Sequence, residues 1–468
     1  MDTLGQFGRQ LRELYNSGRY KDTVALFKAG RQGYSCDAIS GNADIVRTML
    51  GAFRRLDELQ HAFTFLRYFK VKINDRVHHS LLNAYAWLLY STLNKEFRNP
   101  ASVNLTKDNT LTVDMLDEDG APGKNKLGDL IDAVCKVLPL LPVSPYCDAV
   151  YSSLTILLLK FAKQCMTADW HFINRICDNT NIARLSTECR TTELAVKGKT
   201  KLVELASDLE YWYVFKSAAA EKTGQYEECA SVSTEARSAL KSFHYGNEIW
   251  FARRIAHSKK NLGRIDEAIL DFRSILKKKN DWFLWKELAE LYKMQNDSKQ
   301  AFDCAVKAAA LHGDIQYKID LIVLIGDLLY EKDQLDKAFQ HYELARLIRI
   351  RNDWPIPQSL KDKLQNMELG RQNSDFNSLL QCITTYWHSF GRIQSSVSEL
   401  IKGKVVHILH QNDKGTDGFI QYGQKKQVYF RLNPENNLAT TISIGQTLFF
   451  TIKIQHNNKE LATIKRFE

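Results

Sequence analysis

Four stretches of the chain share one pattern of apolar and polar positions. In each, a run with apolar residues at helical spacing meets a short polar turn, and a second run follows with a small residue early in it. The turns read KTGQYEEC, NLGRIDEA, MQNDSKQA and EKDQLDKA, and they end on Cys229, Ala268, Ala301 and Ala338. By subtraction these residues lie 39 (268 − 229), 33 (301 − 268) and 37 (338 − 301) positions apart. Two helices per unit at a period of ~34 residues predict a stack of helical hairpins, with the longer gaps absorbed in longer helices or loops.

The residue types at fixed offsets support this register. The third unit, DWFLWKELAELYKMQNDSKQAFDCAVKAA, carries Trp285, Leu288, Ala289, Tyr292, Ala301, Ala305 and Ala308. The second carries Ile255, Ala256, Gly263, Ala268 and Phe272, and the fourth Ile325, Gly326, Leu329, Ala338, Tyr342 and Ala345. The first fits at Ala220, Gly224, Tyr226 and Ala236, with Cys229 in place of an alanine. In spacing and residue type these units resemble the tetratricopeptide repeat. The resemblance implies a helical solenoid in which small side chains let paired helices approach and bulky ones fill the gaps between hairpins. Such residues report scaffold rather than chemistry.

Weaker echoes precede these units. LYNSGRYKDTVALFKAG places Gly18, Tyr20 and Phe27 at suitable offsets, and MLGAFRRLDELQHAFTFLRYF does the same with Leu50, Phe53, Leu59 and Ala62. SLLNAYAWLLYSTL and YSSLTILLLKFAKQC are helical by their period. Between them, Asn99 to Asp129 is polar and reads as a long surface loop. After Ala345 the pattern continues until Pro355 and Pro357 break it. A polar stretch from Gly370 to Ser374 leads into FNSLLQCITTYWHSF, expected to be a helix that caps the last repeat.

From about Leu400 the period falls to two. KGKVVHILH, DGFIQY, KQVYFRLN, TLFFTIKIQ and ELATIKRF predict five short strands, and five strands in a small Greek-key barrel make an OB architecture. Gly403-Lys404-Val405, Gly418-Phe419-Ile420, Val428-Tyr429-Phe430-Arg431 and Gly445-Gln446 follow one another in an order that resembles the cold-shock domain. That resemblance implies single-stranded nucleic acid as ligand. Phe419 and Tyr429 match its aromatic positions, His407 one usually held by tryptophan, Arg431 one usually held by histidine, and Lys414 the lysine of its first motif, with Lys404 beside them on the first strand. Flat side chains stack unpaired bases and cations hold phosphates, so these residue types suit that ligand. LHQNDKGTD, from Leu409 to Asp417, is longer than the family's usual connection, and Asp417 stands where an aromatic residue is expected. Fewer stacking surfaces leave a protein ligand for the barrel open.

The fold expected is therefore mainly α, a tetratricopeptide-like solenoid with a small C-terminal all-β OB or cold-shock barrel. Residues 1–204 would form a helical domain with degenerate repeats and a polar loop near 99–129, residues 205–395 the repeats and capping helix, and residues 398–468 the barrel.

Composition narrows function little. Of 468 residues, 44% are hydrophobic and 25% charged, as in ordinary folded proteins. Lys and Arg number 64 against 54 Asp and Glu, so the formal charge of +10 is compatible with an anionic partner but mild. Nine scattered cysteines without a C-x-x-C pair predict reduced thiols in a cytoplasmic protein. Cys165, His171, Cys177 and Cys189 are too widely spaced for a paired-ligand zinc motif and read as ordinary thiols and histidine. MDTLGQFGRQLREL has no signal-peptide core, and the apolar run Leu154 to Leu159 is too short to span a membrane.

Catalytic motifs are missing. Lys197-Gly198-Lys199-Thr200 has no upstream P-loop glycine and reads as helix-terminal. His78-His79 reads as surface or core, the acidic set Asp114, Asp117, Glu118 and Asp119 as a solvated loop, and Lys277-Lys278-Lys279 as cations at a helix C-terminus. The expectation is a non-enzymatic adaptor without cofactor or metal, binding single-stranded RNA or DNA (RNA before DNA) through the barrel and a protein partner in the repeat groove. The competing readings are a purely protein–protein scaffold, by architecture an accessory factor of a bacterial regulatory or defence system, and an enzyme whose site lies between Asn99 and Thr200.

Overall fold

A computed structural model describes residues 3–98, 126–164, 168–196, 199–367, 375–396, 401–413, 415–423, 426–433, 442–454 and 460–467. The chain is mainly helical, built on tetratricopeptide-like helical hairpins, and ends in a five-stranded β-barrel. By compactness it divides into Met1–Lys279 and Asn280–Glu468.

The first unit begins with α1 (Leu4–Asn16), α2 (Tyr20–Gly30), α3 (Cys36–Ser40), α4 (Ala43–Arg55) and α5 (Leu59–Tyr68). It continues through α6 (His79–Arg98), α7 (Lys126–Val137), α8 (Pro145–Gln164) and α9 (Trp170–Asp178) to a two-stranded hairpin, β1 (Arg190–Val196) and β2 (Lys199–Leu205). Then come α10 (Asp208–Lys222), α11 (Tyr226–Ala239), α12 (Asn247–Asn261) and α13 (Ile265–Lys278). The second unit holds α14 (Trp282–Met294), α15 (Ser298–Ala310), α16 (Ile319–Tyr330), α17 (Leu335–Arg351), α18 (Gln358–Gln365) and α19 (Phe376–Ser396). The barrel follows, with β3 (Ile401–Asn412), β4 (Gly415–Tyr422), β5 (Lys426–Leu432), β6 (Thr447–Ile454) and β7 (Glu460–Phe467).

Six helix pairs share one turn: α1/α2, α4/α5, α10/α11, α12/α13, α14/α15 and α16/α17. Its pivot is Gly18, Asp57, Gly224, Gly263, Asn296 or Asp333, each with φ between 57° and 79°. Glycine reaches this left-handed region freely, and Asn and Asp tolerate it better than other residues. The next residue's N–H reaches back to the carbonyl five positions earlier, as in Gln225 to Ala220, Arg264 to Lys259, Asp297 to Tyr292 and Gln334 to Leu329, all at 2.9 Å. This Schellman closure satisfies carbonyls that the first helix leaves open and aims the chain directly into the second.

Five residues after each pivot comes the small side chain that meets the first helix. Thr23, Ala62, Cys229, Ala268, Ala301 and Ala338 are all at 0% exposure. The repeat register expected from the turns is therefore the register of the structure, and Thr23 adds a position that the sequence pattern did not single out.

Two apolar cores of the first unit meet at α6, which is the wall between them. Its Leu81 and Leu88 face a core with Leu11, Ile45, Met49 and Phe53, while Leu82, Ala86, Leu89 and Leu93 face one built on α8, α9 and α10. A helix with apolar residues on both faces is buried on both. The run Leu154 to Leu159 is likewise interior, with every residue of it buried.

Two expectations are corrected here. Lys199 and Thr200 are not helix-terminal residues but open β2, which pairs antiparallel with β1 from Val196↔Lys199 to Arg190↔Leu205; Lys197 and Gly198 lie outside the described residues. The alternation in TTELAV and KTKLVEL, which carries this hairpin, is short and polar and stands between strong helices. The helix expected to cap the last repeat, α19, instead packs across the second helices of two hairpins, α15 and α17, while the short α18 lies against α17. Leu379, Ile383 and Trp387 point inward along α19 at helical spacing.

Trp387 carries the polar contact of that seam. Its Nε1–H can only donate, and it reaches His341 Nε2 at 3.0 Å, so His341 Nδ1–H donates to the Lys337 carbonyl at 2.7 Å. Burial pushes the imidazole pKa down to about 4 from an ordinary 6.5.

In the barrel, β3 pairs with β4 and β6, β4 with β5, β6 with β7, and β5 runs parallel to β7 through Tyr429↔Leu461, which closes the sheet on itself. Val405, Ile420, Val428, Phe430, Leu448, Phe450, Ala462 and Ile464 fill the interior. In the stretch from Leu409 to Asp417, β3 runs to Asn412 and β4 starts at Gly415, so most of it is strand.

Two outcomes follow from this packing. Ala301→Arg or Ala338→Arg places a long charged side chain where no clearance exists, and should lower unfolding free energy by roughly 3 kcal/mol or more in thermal or urea melts. Parent-like melting of either variant would refute the shared register. A neutral His341 in the fold means that its contribution is present above about pH 6.5 and is lost as pH falls from there toward 4, because the unfolded chain takes up the proton first. Replacement by Phe should remove about 2–3 kcal/mol of the parent's pH-dependent loss over that window, read as the difference between the two stability curves.

Candidate nucleic-acid interface

The outer face of β3, β4 and β5 gathers five of the six residues expected to bind. Register sets three rows across these strands: Lys404, Gln421 and Gln427; His407, Phe419 and Tyr429; His410, Asp417 and Arg431. Side chains in register share a face of the sheet. Lys404, His407 and Arg431 are exposed, and Phe419 and Tyr429 are half-buried. Lys414 lies outside the described residues.

Two irregularities in β3 make this face. Register shifts fall between Val405 and His407 and between Ile408 and His410. A strict alternation would put Val405 and Leu409 on the side of His407. Instead Val405 is interior at 1% exposure, and Lys404, His407 and His410 align on the outer face. Gly418 permits the approach of β4 at this place, since a Cβ there would lie 2.0 Å from the His407 carbonyl oxygen.

The aromatic pair is in contact. Phe419 and Tyr429 have ring centroids 5.6 Å apart at 65°, an edge-to-face arrangement that leaves one ring face-on to its neighbour's edge. Asp417 fixes the tyrosine: the Tyr429 O–H donates to Asp417 Oδ2 at 3.0 Å, and His410 Nδ1 stands 3.0 Å from Asp417 Oδ1. Burial first, then the hydrogen bond to Asp417, holds the Tyr429 phenol above its usual pKa, while Arg431 pulls it down. Asp417 thus orients a ring rather than adding one.

His410, Gln421 and Gln427 complete the face with Asp417, and only Asp417 of these four was singled out from sequence, as a missing aromatic rather than as a ligand. Counting by twos from Phe419 and Tyr429 reaches Asp417, Gln421 and Gln427, but His410 is hidden by the second register shift.

Elsewhere the expected bland readings have partners. Lys278 pairs with Glu248 at 2.6 Å, and Lys279 lies 5.7 Å from the Trp250 ring centroid. His78 Nδ1 lies 2.8 Å from Ser80 Oγ at the start of α6. Asp114, Asp117, Glu118, Asp119 and Cys165 lie outside the described residues. Cys177 is buried in α9, its thiol pushed up by burial, and among the described residues it joins no group of three or more metal-ligand side chains. Among the described residues no helix is long and apolar enough to cross a membrane.

Residues 249–384 match a family model described as a domain of unknown function (DUF7017), which spans part of α12 through part of α19. No curated protein matches the chain. Among solved structures, a tetratricopeptide repeat protein from Parabacteroides merdae is 11% identical, with 78% of this chain and 98% of that chain covered and a TM-score of 0.29. The human IFIT1 dimer with PPP-AAAA is 13% identical, covering 84% and 83% at a TM-score of 0.33. The APC/C hetero-tetramer Cut9–Hcn1 is 11% identical, covering 82% and 89% at 0.31. Likeness at this level carries no argument about sites or partners.

Proposed function

We propose that the chain is a non-enzymatic adaptor whose barrel, of OB type and cold-shock-like, binds single-stranded nucleic acid, RNA before DNA, while its helical repeats hold a protein partner. One observation carries the reading: Phe419 and Tyr429 stand side by side on an outer sheet face with Lys404, His407, His410 and Arg431 around them. The closed strand order, with its parallel β5–β7 pair, agrees with a five-stranded Greek-key barrel, whose second and third strands form the ligand face in that architecture. Bases would lie over the two rings and the phosphates would follow the line of Lys404, His407 and His410 along β3. The repeats would add a second attachment, and two weak contacts together gain avidity when both ligands sit on one transcript or strand. A purely protein-binding barrel is the competing reading, and Asp417 on the same face is what favours it.

Fluorescence anisotropy of the full chain on short poly-pyrimidine strands across a salt series separates the two. Phe419→Ala with Tyr429→Ala should weaken binding about ten-fold or more, since each stacked base contributes ~1–3 kcal/mol. Arg431→Ala should lower both affinity and the slope of log K against log salt, and duplex should bind worse than single strands. An intact chain that ignores single strands at low salt would move the barrel to a protein ligand.

Asp417→Asn keeps an acceptor for the Tyr429 hydroxyl and removes the one carboxylate of the nine-residue face. Affinity at low salt should rise several-fold, by about 1 kcal/mol, and converge with the parent at high salt. A fall in affinity would mean that the charge on Asp417 is needed to hold the ring.

A further inference from the structure

The first unit brings together three metal-ligand side chains that are far apart in sequence. Cys189 immediately precedes β1, Glu204 stands near the end of β2 in register with Thr191, and His244 lies between α11 and α12. One ligand atom from each, the Cys189 sulfur, a Glu204 carboxylate oxygen and a His244 ring nitrogen, lies within 4.8 Å of the other two. His244 Nε2 is 3.8 Å from Glu204 Oε2. Cys189 and His244 are partly accessible and Glu204 is exposed, so an ion could enter from solvent.

The far side of the imidazole makes this more than a chance cluster. His244 Nδ1 is 2.7 Å from Glu210 Oε2, and Glu210 is at 1% exposure. The same carboxylate accepts from the His244 backbone N–H at 2.8 Å and from Asn247 Nδ2 at 2.7 Å. A buried acceptor held on two further donors fixes Nδ1–H as the donor. That leaves Nε2 facing Cys189 and Glu204. Histidines that ligate metals are oriented by the same device, a carboxylate on the second nitrogen.

Nε2, a carboxylate and a sulfur converge on one space, and a positive charge there joins all three. A proton on Nε2 would satisfy Glu204 but gives the thiol no role. A cation uses every group, and a soft sulfur with an imidazole and one carboxylate is a zinc donor set. Tetrahedral zinc, with ligands at about 2.0–2.3 Å, sets its donor atoms roughly 3.3–3.6 Å apart, so the 3.8 Å pair needs little adjustment.

We propose that Cys189, Glu204 and His244 bind one Zn²⁺, with Glu210 as the positioning residue behind His244 and water in the fourth position. Binding displaces the Cys189 thiol proton to solvent and ties both ends of the β1–β2 hairpin to the α11–α12 loop.

The test uses the full chain stripped with a chelator, titrated with Zn²⁺ against a chromophoric competitor and with Co²⁺ by absorption. One zinc per chain and a thiolate-to-cobalt charge-transfer band are expected. Cys189→Ser should abolish that band and weaken zinc roughly 100-fold or more, and Glu210→Gln should weaken it by about 10–100-fold without touching the ion. A chain with the exposed Cys36, Cys135 and Cys382 changed to Ser should bind as the parent does. Should Glu210→Gln unfold the chain, His244→Gln at a partly exposed position carries the same expectation, with circular dichroism as the fold control. No stoichiometric uptake, a cobalt spectrum without the thiolate band, or zinc binding indifferent to Cys189→Ser would each overturn the assignment.

Discussion

The helical part of this chain rests on a fixed interval: five residues from a left-handed pivot to a side chain with no clearance. The pivot turns the chain back through about half a circle, and the interval decides which residue of the second helix meets the first. Thr23, Ala62, Cys229, Ala268, Ala301 and Ala338 all occupy that point and are wholly excluded from solvent. The core around Leu11, Ile45 and Met49 and the seam that α19 makes with α15 and α17 are laid over hairpins closed in this way, while α6, α7, α8 and α9 pack beside them without that turn. Cys229 fits because a thiol is only slightly bulkier than a methyl and tolerates an apolar setting.

This also explains which parts were legible in advance. An eight-residue device used six times leaves a repeated signature, and four of the repeats could be registered in the sequence from Cys229, Ala268, Ala301 and Ala338. Strand alternation in the barrel was legible because its inward residues are strongly apolar, as Val428, Phe430 and Leu432 are. The β1–β2 hairpin was not, because Thr192, Glu193, Lys199 and Thr200 alternate without a large apolar contrast. His410 was missed for another reason: a register shift changes the arithmetic of the strand at one residue, and no composition signals it. The grouping of Cys189, Glu204 and His244 was beyond sequence altogether, since a hairpin and a loop had to fold before those residues could meet.

The barrel face combines opposing demands on one small sheet. Its middle strand carries both a ring, Phe419, and the only carboxylate among the nine residues, Asp417. Asp417 orders Tyr429 through a hydrogen bond and offsets His410 and Arg431 at its flanks. A face arranged so gains in rigidity of its rings what it gives up in positive potential.

The parallel pairing of β5 with β7 has a kinetic consequence. Each helical hairpin closes over a few tens of residues at most, whereas Tyr429 must find Leu461, 32 positions on (461 − 429), and Ile401 must find Phe450, 49 positions on (450 − 401). Loop closure over such distances precedes any stabilising contact, so non-local sheets form more slowly than local helix pairs. The hairpins can therefore consolidate one by one in microseconds to milliseconds, while the barrel passes through a longer interval with unpaired strand edges, among them the apolar TLFFTIKI of β6. That segment, exposed before its partners arrive, is where aggregation during refolding would begin.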